Sequence, residues 1–309
     1  MRNVRDALIG LAVGDALGVP VEFESREDLK KNPVVDMRGF GSHPVPAGSW
    51  SDDTSMTIAT MDSIINCHGI DYKDIMDRFL LWVNKGEYTP TGTMFDIGHT
   101  CRKALMDYAM YDVEPTKAGQ DGNRSNGNGS LMRILPIPFF CHKRKLGKSE
   151  IIKICNDVSS LTHRHEISKL GCYIYTLFVM GLLDGMNIQE AYDYISSADY
   201  DSYSKDSLSA YRRILEQDIT TLKEEEIQST GYVVHTLEAA LWCLFNAGSS
   251  FDEIVLAAVN LGEDTDTTGA VVGSLAGLVY ECPQRWKRAL LRNEYLCDIA
   301  DSFGDSIAK

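Results

Sequence analysis

The stretch Asp264-Thr265-Asp266-Thr267-Thr268-Gly269-Ala270-Val271-Val272-Gly273-Ser274-Leu275-Ala276-Gly277-Leu278-Val279-Tyr280 decides the fold. Gly269, Gly273 and Gly277 recur at four-residue spacing, which on a helix makes one stripe without side chains. Each glycine inside a helix costs about 1 kcal/mol relative to alanine, so something must offset the loss. Close approach of another helix backbone does so, as in small-xxx-small packing. Near the start of the chain Gly10, Gly14 and Gly18 repeat the spacing. Both glycine helices are expected to be central and closely packed.

Outward from these two segments, helical periodicity recurs almost everywhere. Ser51 or Asp71 begins, and Gly69 or Gly86 ends, successive segments of helical length. Further helical patterns lie near 93–110, 149–160, 166–184, 207–217, 231–247, 251–261 and 266–280, then run to the C-terminus. Strand-like alternation is almost absent. The fold class is all-α, and no linker interrupts residues 1–309, which are expected to form one domain. The conspicuous loops are 85–99 and the Gly/Asn-rich 115–130, and 197–207 reads as a polar surface crossover. Arg2 and Arg5 before Ala7–Gly14 imitate a secretion signal, but Asp15 cuts the apolar run short and the segment is expected to stay as a helix.

Composition narrows the partners. The 309 residues carry 30 Lys plus Arg against 44 Asp plus Glu, a net charge of −14, so broad electrostatic binding to nucleic acid or an anionic membrane is disfavoured. The one basic run, His142-Lys143-Arg144-Lys145, reads as a solvated loop. Eight cysteines include no CxxC pair, which suits buried reduced thiols and a cytoplasmic location. The longest apolar run, Tyr173 to Leu183, is shorter than the ~20 residues that span a bilayer.

Three apparent motifs fail on spacing. Gly147-Lys148-Ser149 lacks the glycine of a phosphate loop, because His142 occupies its place. Gly127-Asn128-Gly129 lacks the third glycine of a dinucleotide fingerprint. His163 and His165 are too close in sequence to share one helical face. Two acidic segments remain: Ser51-Asp52-Asp53-Thr54, and Asp264-Thr265-Asp266-Thr267-Thr268. Each alone reads as a capped helix start with acids suited to the macrodipole. As a pair they offer hydroxyls beside four carboxylates, undiluted by lysine or arginine. Brought together, such acids repel unless protonated or neutralised, and two divalent cations would balance four negative charges. All-oxygen donors select Mg²⁺, Mn²⁺ or Ca²⁺ over zinc, and a two-metal centre orients substrate oxygens and activates water. Glu22, just after the helix-ending Pro20, either points into such a site or lies on the surface.

At this point the chain resembles the ADP-ribosylglycohydrolases. The resemblance rests on seven collinear segments: GDALGVPVEF (14–23), GSWSDDTSMT (48–57), PTGTMFDIGHT (90–100), NGNGSLMRILPI (126–137), LTHRH (161–165), GYVVHTLEAALWC (231–243) and NLGEDTDTTGA (260–270). It implies an all-α orthogonal helical bundle with a two-metal cleft, and hydrolysis at the ribose anomeric carbon of ADP-ribose joined to an acceptor. By position, Ser51, Asp52, Asp53, Asp264, Asp266 and Thr267 match the metal ligands, with two Mg²⁺ (or Mn²⁺) as cofactors. Glu22, Asp53 and Asp266 match catalytic positions. Ser125, Asn126, Gly127, Asn128 and Gly129 match a diphosphate and ribose loop, supported by the anion preference of a following helix N-terminus. His163 matches a phosphate contact, and Asp96 and Gly98 match a loop beside the reacting ribose. Glu263 stands where many members carry glycine.

The partner implied is an ADP-ribosylated protein or small ADP-ribose conjugate, with arginine the first-choice acceptor and serine, nucleobase and O-acetyl linkages as others. Two further readings stay open: a binding or structural protein that retains the fold without turnover, and a two-metal hydrolase of another nucleotide sugar. Oligomeric state is not legible from the sequence.

Overall fold

The computed structural model describes residues 3–308. Its helices run, in order, α1 Val4–Gly18, α2 Arg26–Lys31, α3 Asp52–Cys67, α4 Tyr72–Lys85, α5 His99–Tyr111, α6 Pro136–Arg144, α7 Lys148–Ser160 and α8 Glu166–Leu183. Then come α9 Ile188–Ser197, α10 Lys205–Ala210, α11 Arg212–Leu215, α12 Val233–Asn246, α13 Phe251–Val259, α14 Thr265–Val279, α15 Gln284–Ala289 and α16 Asn293–Ile307. Among the described residues β structure is confined to two isolated bridges, Gln120 with His163 and Gly127 with Tyr232. The fold is all-α.

The two glycine stripes meet each other. Gly10 abuts the Gly273 carbonyl, Gly14 the Gly269 carbonyl, and Gly277 the Asp6 carbonyl, so a Cβ at any of the three would overlap backbone atoms. At the end of α1, Gly18 lies on the backbone of Asp266 in the same way. Helices α1 and α14 therefore pack backbone on backbone through the middle of the molecule, with α12 and α13 against α14, and α3 and α16 against each other. The surrounding core includes the fully buried Trp50, Trp82 and Trp286. Ser51 caps α3 by accepting the Asp53 N–H, and Asp71 caps α4 by accepting from Asp74. Gly86 closes α4 in the left-handed conformation at φ 70°.

Several elements depart from the sequence reading. His68, not Gly69, takes the left-handed position that ends α3. The helix placed at 93–110 begins only at His99, because 93–98 form an extended loop whose Met94 and Ile97 still pack against the core and so mimic helical spacing. The 207–217 pattern is split at Tyr211 into two short helices. The basic run at 142–145 is the last turn and cap of α6, where cations suit the helix dipole; Pro136 and Pro138 opened that helix unnoticed, although proline is favoured in a first turn. The crossover at 197–207 is not wholly a surface segment, since Tyr200 and Tyr203 are buried against Tyr173. Helix α8 extends the Tyr173–Leu183 run to 18 residues and is apolar enough by composition to cross a membrane, yet most of it is buried among other helices as a core element.

The contact between α1 and α14 makes a direct prediction. Gly14→Ala adds a better helix former yet forces the two backbones apart, so it should destabilise the protein by about 1–3 kcal/mol. Gly69→Ala, with no atom near its added methyl, should leave the melting temperature unchanged. Thermal denaturation of both variants checks this; a Gly14→Ala protein as stable as the parent would contradict the packing.

Candidate active site

The fold brings the two acidic helix starts together. The hydroxyls of Ser51 and Thr267 both donate to Asp53 Oδ2, at 2.8 and 3.4 Å. Carboxylate oxygens of Asp15, Asp53 and Asp266 lie within 4.8 Å of one another, as do those of Glu22, Asp264 and Asp266. Asp15 comes from the last turn of α1, next to Gly14, and is fully buried. It accepts the Ser51 N–H at 2.8 Å, the Thr54 N–H at 3.1 Å and the Thr54 hydroxyl at 2.6 Å, which pins the start of α3 to the central helix pair. Asp264 is held by Asn128, whose amide donates to Oδ2 at 2.8 Å.

Burial dominates the electrostatics. It pushes the Asp52, Asp53 and Asp266 carboxyls well above the usual range, with repulsion from the neighbouring acids adding to the shift. Burial also raises Asp264 and Glu22. The Asp15 carboxyl is pushed up to about 7 by burial, against the hydrogen bonds it accepts. Asp53 Oδ1 is buried without a hydrogen-bond partner, and a buried carboxylate oxygen left unpaired is costly. An all-oxygen set of acids and hydroxyls with an orphaned carboxylate oxygen at its centre fits hard divalent cations.

Above the acids opens a cleft of about 360 Å³. Glu22, Asp52, Asp96, Asp264 and Thr267 line it, whereas Ser51, Asp53 and Asp266 lie below its surface. Its walls carry no lysine or arginine. Gly98, the residue that caps α5, stands with its backbone beside Asp52 and partly offsets the rise in that carboxyl's pKa. Gly127, Asn128, Gly129 and His163 form another part of the wall. Gly129 needs its missing side chain, because a Cβ there would strike Cys101 and His163. Burial and the charge of Arg133 hold the His163 ring down at about 3, so it is neutral.

The Gly/Asn loop differs from expectation in two ways. Ser125 lines neither the cleft nor the adjoining hollow of about 270 Å³, and its N–H donates into a local turn at Gly122. No helix begins directly after the loop: Met132 and Ile134 close turns on Asn128 and Leu131, and α6 waits until Pro136. The loop is held instead from outside, by the Asn128 N–H to Gly231 and the Val233 N–H to Asn126, both at 3.0 Å. Asn126 faces the adjoining hollow, with its side chain engaged by Ser168 and Asn123. Glu263 is exposed, at φ 61°, a conformation that glycine adopts without strain, which accounts for the glycine implied at that position.

Two residues escaped the sequence reading. Asp15 was taken only as the end of an apolar run; a carboxylate between two glycines of a central stripe was itself the signal. His43 carried no local signal. Its Nε2 lies 2.5 Å from Glu22 Oε2, and with Glu22 and Asp96 it forms a third group whose ligand atoms lie within 4.8 Å of one another.

Comparison with known proteins agrees with this geometry. The family model described as ADP-ribosylglycohydrolase matches residues 1–309. The chain is 31% identical to the ADP-ribosylarginine hydrolase Tri1 of Serratia proteamaculans (strain 568), over 97% of this chain and 78% of that protein. It is 28% identical to the ADP-ribosyl-[dinitrogen reductase] glycohydrolase of Rhodospirillum rubrum, over 91% of this chain and 87% of the relative. A solved structure titled an ADP-ribosylglycohydrolase-related protein complex superposes with a TM-score of 0.81 at 31% identity, covering 99% of this chain and 98% of the other. Family and relatives make the chain a glycoside hydrolase acting on ADP-ribosylated acceptors. The chain belongs to the ADP-ribosylglycohydrolase family.

The buried acids set a pH dependence. A carboxyl whose pKa is raised on folding holds more protons folded than unfolded, so stability falls as pH rises through that window. For Asp15 the window runs from 3.8 to about 7, and for Asp52, Asp53 and Asp266 it extends upward. The depressed His163 acts oppositely, but only below its unfolded value of 6.5. In EDTA, the melting temperature should therefore fall between pH 6.5 and 9, and an added divalent cation should raise it most at the alkaline end. Asp53→Asn should flatten the fall and weaken the cation response. A pH-independent melt with no cation response would contradict the site.

Proposed function

We propose that the chain removes ADP-ribose from modified arginine on protein in a Mg²⁺-dependent reaction. The observation that carries this reading is the convergence of the acids near 52 and near 265 beneath a cleft walled by Gly127, Gly129 and His163. The arginine preference is supported by the similarity to an ADP-ribosylarginine hydrolase over nearly the whole chain, and by a cleft whose charged lining residues are all acidic.

Ser51, Asp52, Asp53, Asp264, Asp266 and Thr267 would hold two Mg²⁺ ions, with Mn²⁺ as the equally hard substitute and Asp15 supporting from below. Bound there, such ions would neutralise the acids and would supply Lewis acidity toward the bound ribose. The rest is done by the chain. Gly127, Gly129 and neutral His163 border the diphosphate, and the adjoining hollow lined by Arg124 and Tyr232 extends the cleft for the distal nucleoside. Asp96 and Gly98 flank the reacting ribose. The bond from the anomeric carbon to the acceptor nitrogen breaks with its electron pair leaving on nitrogen, and nearby carboxylates stabilise the oxocarbenium character left on the sugar. Water adds its oxygen to the anomeric carbon and gives one proton to a carboxylate, which passes that proton to the departing acceptor nitrogen. Glu22 suits that proton transfer, being buried, raised in pKa and fixed by His43; Asp53 is the other carboxylate in position, with Asp266 beneath both.

The test is release of free ADP-ribose from arginine-, serine- and nucleobase-linked substrates, with and without EDTA. The arginine conjugate should be cleaved fastest, EDTA should stop release, and Asp266→Asn should lower kcat by at least about 100-fold. Full activity in EDTA, or in Asp266→Asn, would overturn the reading.

A further inference from the structure

Phe23, the residue after Glu22, is the least explained side chain at the cleft. Its backbone sits at φ 71°, where a bulky residue is strained. The residue is 74% exposed, yet it lines the cleft. The exposed ring is no part of the packed core. The conformation is needed so that the Phe23 N–H reaches the Glu263 carbonyl and the Glu263 N–H reaches the Glu24 carbonyl, both at 2.7 Å. Glycine would make the same bonds without strain, and water-facing apolar surface of this kind gains nothing from burial. Strained backbone and exposed aromatic surface at one cleft residue point to a ligand contact.

The surroundings say what kind. Phe23 is on the part of the cleft beside Glu22, whose carboxylate belongs to the acid cluster with Asp264 and Asp266. The other part, at Gly127 and Gly231, is continuous with the hollow holding Arg124. The Phe23 ring centroid lies 6.2 Å from that of His43, which is 5.2 Å from that of Phe95. Aromatic faces thus stand beside the carboxylates of Glu22 and Asp96, with no lysine or arginine on the cleft wall. An aromatic face beside carboxylates attracts a planar cation.

We propose that Phe23 is a specificity-determining residue, whose ring stacks on the guanidinium of an arginine acceptor while Glu22 and Asp96 supply the countercharge. This rests on the arginine-hydrolase reading above. The experiment is steady-state hydrolysis of arginine-linked and serine-linked ADP-ribosyl peptides by the parent, Phe23→Leu, Phe23→Gly and Phe23→Trp proteins, with ADP-ribose product inhibition measured on each. Leucine keeps apolar bulk without a π face, glycine also relieves the strain, and tryptophan restores the face. For the arginine substrate, KM should rise about two- to five-fold in Phe23→Leu and Phe23→Gly and return to the parent value in Phe23→Trp. Values of kcat, ADP-ribose inhibition and serine-peptide KM should stay at the parent level. An unchanged arginine KM in Phe23→Leu, or an equal rise in the ADP-ribose inhibition constant, would overturn the role of Phe23 while leaving the enzyme reading intact. A parent protein that prefers the serine peptide would overturn the arginine reading and this inference with it.

Discussion

The backbone-to-backbone contact of α1 with α14 is the constraint on which the rest depends. Two helices that touch through Gly10, Gly14, Gly269 and Gly273 leave no room for side chains between them, and their close packing offsets the propensity lost at each glycine. The same contact fixes the site. Asp15 follows Gly14, and Gly18 rests on the backbone of Asp266, so the stripe that holds the core together runs directly into the acids. Helix α3 then joins through its N–H groups, because Asp15 accepts from Ser51 and Thr54. Fold and site are one interlocked arrangement rather than a scaffold with residues attached.

That arrangement is electrostatically unfavourable by itself. Asp15, Asp53 and Asp266 are buried within reach of one another with no basic residue among them, and in such surroundings carboxyls keep their protons. Natural proteins retain conflicts of this sort where function needs them. Bound cations, as proposed, would resolve the conflict, and neighbouring parts of the chain hold the remaining groups still. His43 fixes Glu22, and Asn128 fixes Asp264. Phe23 stands exposed on the cleft wall, where the backbone is strained and the surface aromatic.

Much of this was legible in the sequence, for physical reasons. Glycines at four-residue spacing have few explanations other than close helix packing, and hydroxyl-plus-two-acid helix starts stand out against a chain otherwise mixed in charge. The structure brings Ser51, Asp52, Asp53, Asp264, Asp266 and Thr267 together, with Glu22, Asp96, Gly98, the Gly127–Gly129 turn and His163 around the same cleft. What was not legible depended on tertiary context. His43 reaches Glu22 only because the 39–47 loop folds back on Pro20. Ser125 falls away from the cleft because its loop turns locally at Gly122. Tyr200 and Tyr203 are buried by a partner, Tyr173, some thirty residues away, which local polarity gave no means of foreseeing.

The central claim is that two distant helix starts form a binding site for a pair of divalent cations. Its most direct measurement is the anomalous difference map of crystals grown with Mn²⁺. Two manganese peaks bounded by Asp52, Asp53, Asp264 and Asp266 are expected. A map empty between α3 and α14, or one with manganese only elsewhere on the molecule, would contradict it.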